Sequence, residues 1–298
     1  MLYKNLSEYL RNKYGARLRK ICIDGGFCCP NRDGTCGVGG CIFCGERGAG
    51  EHIDPSKSIG AQVRRALDGA MSSDGFIAYF QNFTNTYAPV DVLRERYDAA
   101  LIDSRIKVLA IGTRPDCIDK DVAALIAEYK KRLDVWVELG LQTASDKTAG
   151  IINRGYKRES FERAMELLSR YGIPVVVHLI VGLPGEGLED IKGTAEYINK
   201  FPIWGLKIHS IYVTRGTKLC EMYEAGEYAP PTLEEYVRSA VYILTHTSPD
   251  IIIHRLTGDA PRDMLVAPEW NKDKHAIINR IVNTMEGDGL SQGCLWRK

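Results

Sequence analysis

Short apolar runs alternate along the chain with longer amphipathic stretches. Runs rich in β-branched residues favour extended backbone, whereas apolar residues repeated at helical spacing favour helices. The predicted strands are Leu18–Ile23, Phe76–Phe80, Lys107–Ile111, Val135–Leu141, Pro174–Val181 and Leu206–Tyr212. The first predicted helix has an N-cap at Ser56 and carries Ile59, Val63, Leu67 and Ala70 at helical spacing. The other predicted helices are Val90–Ile102, Asp121–Lys131, Glu159–Tyr171 and Leu188–Asn199.

This alternation predicts an α/β fold with a parallel sheet and helical crossovers. Six strand–helix units are two fewer than a closed eight-fold barrel contains, so we predict a partial (β/α)6 TIM-like barrel with a C-terminal α/β extension. The extension is predicted to hold a helix at Leu233–Leu244, a strand at Ile251–His254 and a helix at Lys274–Met285. The predicted organisation is a basic helical arm at 1–17, a barrel at 18–217 and the extension at 218–298. In such folds, active sites lie at the carboxyl ends of the strands.

Charge and hydropathy narrow the class of protein. No apolar run in the 298 residues is long enough to span a bilayer, and the first twenty residues lack the apolar core of a signal peptide. We therefore expect a cytoplasmic protein with no membrane partner. The net charge is only +1, but the first twenty residues contain six basic side chains and a single acidic one. This arm suits phosphate binding, and a solvated helix face explains it equally well.

Six of the nine cysteines lie between residues 22 and 44. An odd number of cysteines cannot all pair, and this clustering in a Gly-, Asn- and Pro-rich segment indicates a metal-binding loop at 24–50. Cys41 and Cys44 form a CxxC pair that suits one metal centre. Cys29 is the preferred third ligand, with Cys28 and Cys36 as alternatives.

Three cysteine ligands suit a four-iron, four-sulfur cluster that keeps one iron free of protein. An open coordination position is typical of a catalytic metal centre, whereas structural centres are closed. The alternative is a zinc site built from Cys29 or Cys36, Cys41, Cys44 and a fourth ligand such as His52.

The cysteine loop resembles that of the radical S-adenosylmethionine (SAM) superfamily. Residues 25–34 match G-G-F-x-C-P-N-R-D-G and residues 39–44 match G-G-C-x-F-C, the pattern of the YhcC/YtqA-like group related to the radical domain of the elongator catalytic subunit. The position that matches the first ligand of this group is Cys29, and Gly37 occupies the place where the commoner CxxxCxxC spacing has a cysteine. The resemblance covers almost the whole chain and argues against the zinc alternative.

The resemblance implies a [4Fe–4S] cluster and SAM as cofactors, and an electron donor such as flavodoxin or ferredoxin. Reductive cleavage of SAM at such a cluster gives methionine and a 5′-deoxyadenosyl radical, which abstracts hydrogen from the substrate. The implied substrate is the C5 side chain of the wobble uridine of tRNA. The alternatives are a radical reaction on a small molecule or peptide, or a metal-bearing RNA-binding module without catalysis.

Polar residues at strand ends are the candidate SAM contacts implied by the resemblance. Gln81 and Asn82 follow the second strand, where related enzymes hold the SAM amino group, although an Asn/Thr-rich turn explains them equally well. Glu138 and Gln142 lie along the fourth strand, which approaches the ribose and amino acid of SAM. Arg154 matches the arginine that holds the SAM carboxylate.

The fifth and sixth strands carry further candidates. By resemblance, Gly182 and Gly185 let the backbone approach adenine, because glycine offers no side chain in the way. His178, just before them, is predicted to be a buried and hydrogen-bonded histidine rather than a catalyst. Lys207 and His209 share one face of the sixth strand, so either that face is polar on the inside of the sheet or the strand is an edge. The sequence assigns no catalytic residue.

Overall fold

The computed structural model describes residues 2–48, 53, 56–71 and 75–297. Its strands are β1 (Leu18–Ile23), β2 (Gly75–Phe80), β3 (Ile106–Thr113), β4 (Asp134–Gln142), β5 (Val175–Val181), β6 (Gly205–Ser210), β7 (Val213–Thr214), β8 (Ile252–Arg255) and β9 (Leu265–Ala267). Its α-helices are α1 (Leu6–Tyr14), α2 (Ile59–Leu67), α3 (Val90–Ala100), α4 (Lys120–Lys130), α5 (Asp146–Ile151), α6 (Arg158–Arg170), α7 (Leu188–Ile198), α8 (Lys218–Glu224), α9 (Leu233–His246) and α10 (Lys274–Gly287).

The main sheet is parallel throughout and curls into a partial barrel with the strand order β1-β2-β3-β4-β5-β6-β8. The predicted α/β class and partial barrel are therefore confirmed. The C-terminal extension contributes the seventh strand, β8, which pairs with β6. The sheet is thus one strand wider than six repeat units suggest. A separate antiparallel pair, β7 and β9, lies beside it.

The two faces of the sheet have different surroundings. Along each strand, alternate side chains point to opposite faces, and one set packs under the crossover helices in the largest apolar core. Phe76, Ala78 and Phe80 of β2 belong to that set. The opposite set, which includes Tyr79, points into the curled interior of the sheet and has its own smaller core. Both faces are covered, which is why the strands read as nearly continuous apolar runs.

Helix α1 closes the interior at the amino ends of the strands. Asn5 caps its start by accepting from Glu8 N, and Gly15 ends it in the left-handed conformation. Leu10 is only 3% exposed and packs in the interior core with Trp136, which lies near the start of β4. The predicted helical arm is therefore a docked element of the barrel. It lies at the end opposite the cysteine loop, which follows the carboxyl end of β1, and this favours the solvated-face interpretation of its charge.

The other helix boundaries follow the predictions within two residues, except that α2 ends at Leu67, three residues before the predicted Ala70, and that its cap is corrected. Helix α2 is capped by Ser58, whose hydroxyl accepts from Ala61 N, and not by Ser56. Ser56 lies two residues before this cap, whereas a capping side chain accepts from an N–H two or three residues after it. None of the helices in the described ranges has the length and apolar character that crossing a bilayer requires.

Candidate active site

The residues of the C-P-N-R-D-G motif shape the cysteine loop. The carbonyl of Cys29 accepts from the backbone N–H groups of Arg32 (2.8 Å) and Asp33 (3.3 Å), which makes a tight turn. The Arg32 guanidinium then donates to the carbonyls of residues 44–46 at 2.6–3.3 Å. Arg32 therefore joins the two ends of the loop and brings Cys29 and Cys44 to the same region. Sequence reasoning assigned no role to Arg32, although the motif contains it.

A second segment, residues 153–156, fastens the loop to the barrel. Asn153 adopts a left-handed φ of 51° and donates from its side-chain amide to the carbonyls of Gly40 (2.7 Å) and Val38 (3.1 Å). The backbone N–H of Ile42 donates to Ile152 O at 3.1 Å. These bonds fix the position of the loop next to the end of β4.

The three predicted metal ligands line one cavity of about 260 Å³ at the carboxyl ends of the strands. Cys29, Cys41 and Cys44 are half-buried there, whereas the rival ligands Cys28 and Cys36 are exposed and outside its lining. His52, the proposed fourth zinc ligand, and residues 49 and 50 of the predicted loop lie outside the described residues.

The donor set fits a cluster held by three thiolates. A hydrogen bond from the Cys44 thiol lowers the pKa of Cys41, aided by the charge of Arg114, and the same bond raises the pKa of Cys44. The described residues that line the cavity include no fourth cysteine. The thiols are not closed around a centre in this conformation, since no three Cys, His, Asp or Glu side chains in the described ranges converge as a metal site does. The fit rests on their shared cavity and on their chemistry.

Four of the seven predicted SAM contacts line the same cavity, namely Gln81, Glu138, Gln142 and Arg154. Asn82 does not line it, because its buried amide donates to Asp24 Oδ2 at 2.8 Å.

The two glycine candidates also lie outside the cavity lining. At Gly182, whose φ is 96°, an added Cβ would lie 2.6 Å from Pro231 and 2.7 Å from Ile211. The absence of a side chain at this position therefore leaves space for Pro231 and Ile211. Gly185, with a φ of 80°, would meet only Ile151 at an ordinary contact distance of 3.6 Å. Its positive φ is the feature that requires glycine.

Arg154 is 1% exposed and is engaged mainly with backbone carbonyls. Its Nη1 donates to Leu141 O (2.6 Å) and Thr143 O (2.7 Å), and its Nε donates to Tyr156 O at 3.1 Å. The carbonyls of Leu141 and Thr143 flank Gln142, which ends β4 with a strained φ of 67°. Together with a longer contact to Asp146, four of the five N–H donors are used. One N–H donor remains for an added ligand, so direct contact between Arg154 and the SAM carboxylate stays a prediction.

Glu138 anchors a polar network deep in the same cavity. Its carboxylate accepts from Trp136 Nε1 at 3.1 Å, contacts His178 Nε2 at 2.9 Å, and forms a close ion pair with Lys207. Burial would raise the pKa of Glu138, but the charge of Lys207 and the hydrogen bond with His178 hold it well below its ordinary value. Burial lowers the pKa of His178 to about 4, so it is neutral at pH 7. His178 is hydrogen-bonded as predicted, and Lys207 points into the interior.

Comparison with known proteins shows which family this chain resembles. A family model described as the radical SAM superfamily matches residues 31–198, and one described as the radical SAM C-terminal domain matches residues 203–287. Protein YhcC of Escherichia coli is 38% identical over 291 residues, which cover 96% of this chain and 94% of YhcC. A tRNA uridine(34) acetyltransferase of Methanocaldococcus jannaschii is 31% identical over 197 residues, which cover 65% of this chain and 35% of that protein.

A solved structure agrees with the architecture. The archaeal Elp3 of Methanocaldococcus infernus, with an N-terminal deletion, matches with a TM-score of 0.70 and 20% identity, covering 92% of this chain and 64% of that one. At that identity the likeness shows the fold alone. The superfamily model covers more than half of the chain, and the identity to YhcC extends over nearly the full length of both proteins. The chain therefore belongs to the radical SAM superfamily, in the YhcC/YtqA-like group that its cysteine loop predicts.

Proposed function

We propose that this radical SAM enzyme holds a [4Fe–4S] cluster on Cys29, Cys41 and Cys44 and binds SAM in the cavity beside them. The observation that carries the proposal is the meeting of these three thiols and the polar strand ends in one cavity. A cluster bound there would supply the electron for reductive cleavage of a carbon–sulfur bond of SAM, and so the radical chemistry that removes a hydrogen atom from the substrate.

The chain's own residues bind and shield these groups. Gln81 and Gln142 present amides to the cavity for the polar parts of SAM, and Arg114 adds a positive charge that favours thiolate at Cys41. Arg114 is itself fixed by a bidentate pair with Asp116 at 2.7 and 3.0 Å. Phe43, which lies between the two cysteines in the sequence, adds an apolar side chain to the cavity lining.

The proposed substrate is tRNA, at the C5 side chain of the wobble uridine. The similarity to a tRNA uridine(34) acetyltransferase over 65% of this chain supports it. Only about a third of that relative is covered, so the similarity concerns the radical domain and does not carry acetyl transfer to this chain. A base buried in an anticodon stack must leave it before an adenosyl radical can reach its substituent. We further propose a cytoplasmic location, with flavodoxin or ferredoxin as the electron donor.

Two assays test the two levels of the proposal. Anaerobically reconstituted enzyme with dithionite and SAM should form 5′-deoxyadenosine, and its absence would refute the radical SAM activity. Mass spectrometry of tRNA nucleosides from a strain lacking the gene should show an altered C5 substituent on the wobble uridine. Identical nucleoside profiles with intact SAM cleavage would exclude tRNA and leave a small molecule or a peptide as the substrate.

A further inference from the structure

Asn31 is completely buried between the cysteine loop and the strand ends. Its side-chain Nδ2 donates to Asn153 O at 2.6 Å and to the Cys41 sulfur at 3.9 Å. Its backbone carbonyl accepts from Gly40 N at 2.8 Å. The two N–H groups of one amide therefore connect the barrel to the sulfur of a proposed cluster ligand.

The orientation of this amide is fixed by its surroundings. Asn153 offers a carbonyl oxygen, which accepts only from an N–H group, so Nδ2 must face it. The Asn31 oxygen is buried and has no hydrogen-bond partner among the described residues. Added Cβ atoms at Gly37 and Gly155 would lie 2.3 and 2.6 Å from that oxygen. Both glycines leave space for the Asn31 carboxamide. The hydrogen bonds that fix the orientation of this group are those that its Nδ2 donates.

We propose that Asn31 raises the reduction potential of the cluster through its N–H···S hydrogen bond to Cys41. A donor at a ligand sulfur withdraws electron density and stabilises the reduced, more negative cluster, which is a recognised determinant of iron–sulfur potentials. Asn31 thereby makes the one-electron reduction by the donor protein more favourable. This inference rests on the proposed cluster and concerns a residue that acts through a ligand.

Asn153 provides a matched control. Its side chain makes two hydrogen bonds to the same loop, at Gly40 O and Val38 O, but only its backbone carbonyl contacts Asn31. Asn153→Gly keeps that carbonyl and tolerates the φ of 51°, while it removes the side-chain bonds. The variant therefore loosens the loop without removing the N–H···S donor.

The experiment is an EPR-monitored redox titration of reconstituted holoenzyme, with iron content measured on the same samples. Asn31→Leu keeps a similar shape without a donor, and Asn31→Ala serves if the leucine variant does not fold. We expect a full iron content and a shift of the potential to more negative values for the Asn31 variant, with Asn153→Gly close to wild type.

Three results would overturn the inference. One is an unchanged potential in a fully loaded Asn31 variant, and another is an equal shift in Asn153→Gly, which would assign the effect to loop position. The third is loss of the cluster from both Asn31 variants, which would make Asn31 a structural residue only. A wild-type protein that binds no iron would instead refute the proposed function itself.

Discussion

The buried guanidinium of Arg154 forms most of its hydrogen bonds within its own chain. Three backbone carbonyls and Asp146 occupy four of its donors, and two of those carbonyls flank the strained Gln142. The residue thus stabilises the end of β4, where the cavity begins. If SAM binds in this cavity as proposed, Arg154 contributes by fixing the backbone around Gln142.

We predict that Arg154→Ala lowers the free energy of unfolding by about 3 kcal/mol or more, because buried carbonyls lose charge-assisted bonds. Arg158→Ala is the matched control, since exposed Arg158 shares the same Asp146 partner and its loss should cost less than about 1 kcal/mol. Urea denaturation of both apoproteins measures the difference. An Arg154→Ala protein of wild-type stability with weakened SAM binding would favour the direct-contact interpretation.

A second prediction concerns the contribution of the Glu138–Lys207 ion pair to stability. Lys207→Met leaves a buried carboxylate without its cation and should lower the free energy of unfolding by about 3–5 kcal/mol. Lys207→Met/Glu138→Gln should be more stable than Lys207→Met alone, because the uncompensated charge is gone while Trp136 and His178 remain as partners. A double-mutant cycle in urea measures the coupling. Additive losses would show that the two residues do not form an ion pair.

The sequence motif selects candidate thiols more readily than it selects the residues around them. The CxxC spacing and the surrounding motif identified Cys41 and Cys44, and the cavity brings Cys29 to them. Glu138 lies in an apolar run, where a buried carboxylate needs a compensating partner. That partner, Lys207, lies 69 residues away on β6. Such a contact depends on how the strands pair. The roles of Asn31 and Arg32 were missed for the same reason, since both act on residues that only the folded loop brings near.

At the level of elements, hydrophobic periodicity was sufficient for the six repeat strands and their crossover helices. Parallel strands buried on both faces give long apolar runs, which is the clearest pattern that a sequence offers. Strand β8 was predicted within the extension but without its pairing to β6, because four residues after an irregular segment do not reveal their neighbour. The short helices α5 and α8 escaped prediction because six or seven residues give too little periodicity.

The position of α1 predicts how the basic arm behaves toward RNA. Because the helix closes the amino ends of the strands, Arg11 and Arg17 lie away from the cavity that holds the cysteines. We expect the slope of log tRNA affinity against log salt to be the same for Arg11→Ala/Arg17→Ala and wild type. Filter binding over a salt series measures it. A slope shallower by about two units would make the arm a phosphate-binding surface after all.

For the whole molecule, three half-buried histidines of the interior set a pH dependence. Burial lowers the pKa of His178 to about 4 and those of His209 and His254 well below their ordinary values. Below pH 6.5 these histidines become protonated in the unfolded chain but stay neutral in the native protein. The free energy of unfolding therefore decreases as the pH is lowered. The buried Glu138, whose pKa is also lowered, adds a loss of the same sign below about pH 4.5.

We predict that the free energy of unfolding of the apoprotein decreases between pH 7 and pH 5. Each such histidine contributes up to about 1.4 kcal/mol per pH unit. In His254→Gln the slope should be shallower by up to that amount. Both ring nitrogens of His254 are buried without hydrogen-bond partners in the described structure, so its charged form has no compensating contact. Urea denaturation at pH 7, 6 and 5 tests this, and equal slopes would place His254 in contact with water.

We propose that three thiols of one loop hold a four-iron cluster at the carboxyl ends of the strands. The most direct measurement is the iron content of anaerobically reconstituted protein, for wild type and for single cysteine variants. We predict roughly four irons per chain for wild type, Cys22→Ala and Cys36→Ala, and loss of the cluster in Cys29→Ala, Cys41→Ala and Cys44→Ala. A full cluster in Cys29→Ala together with its loss in Cys36→Ala would contradict the ligand assignment, and a wild-type protein that binds zinc in place of iron would contradict the claim as a whole.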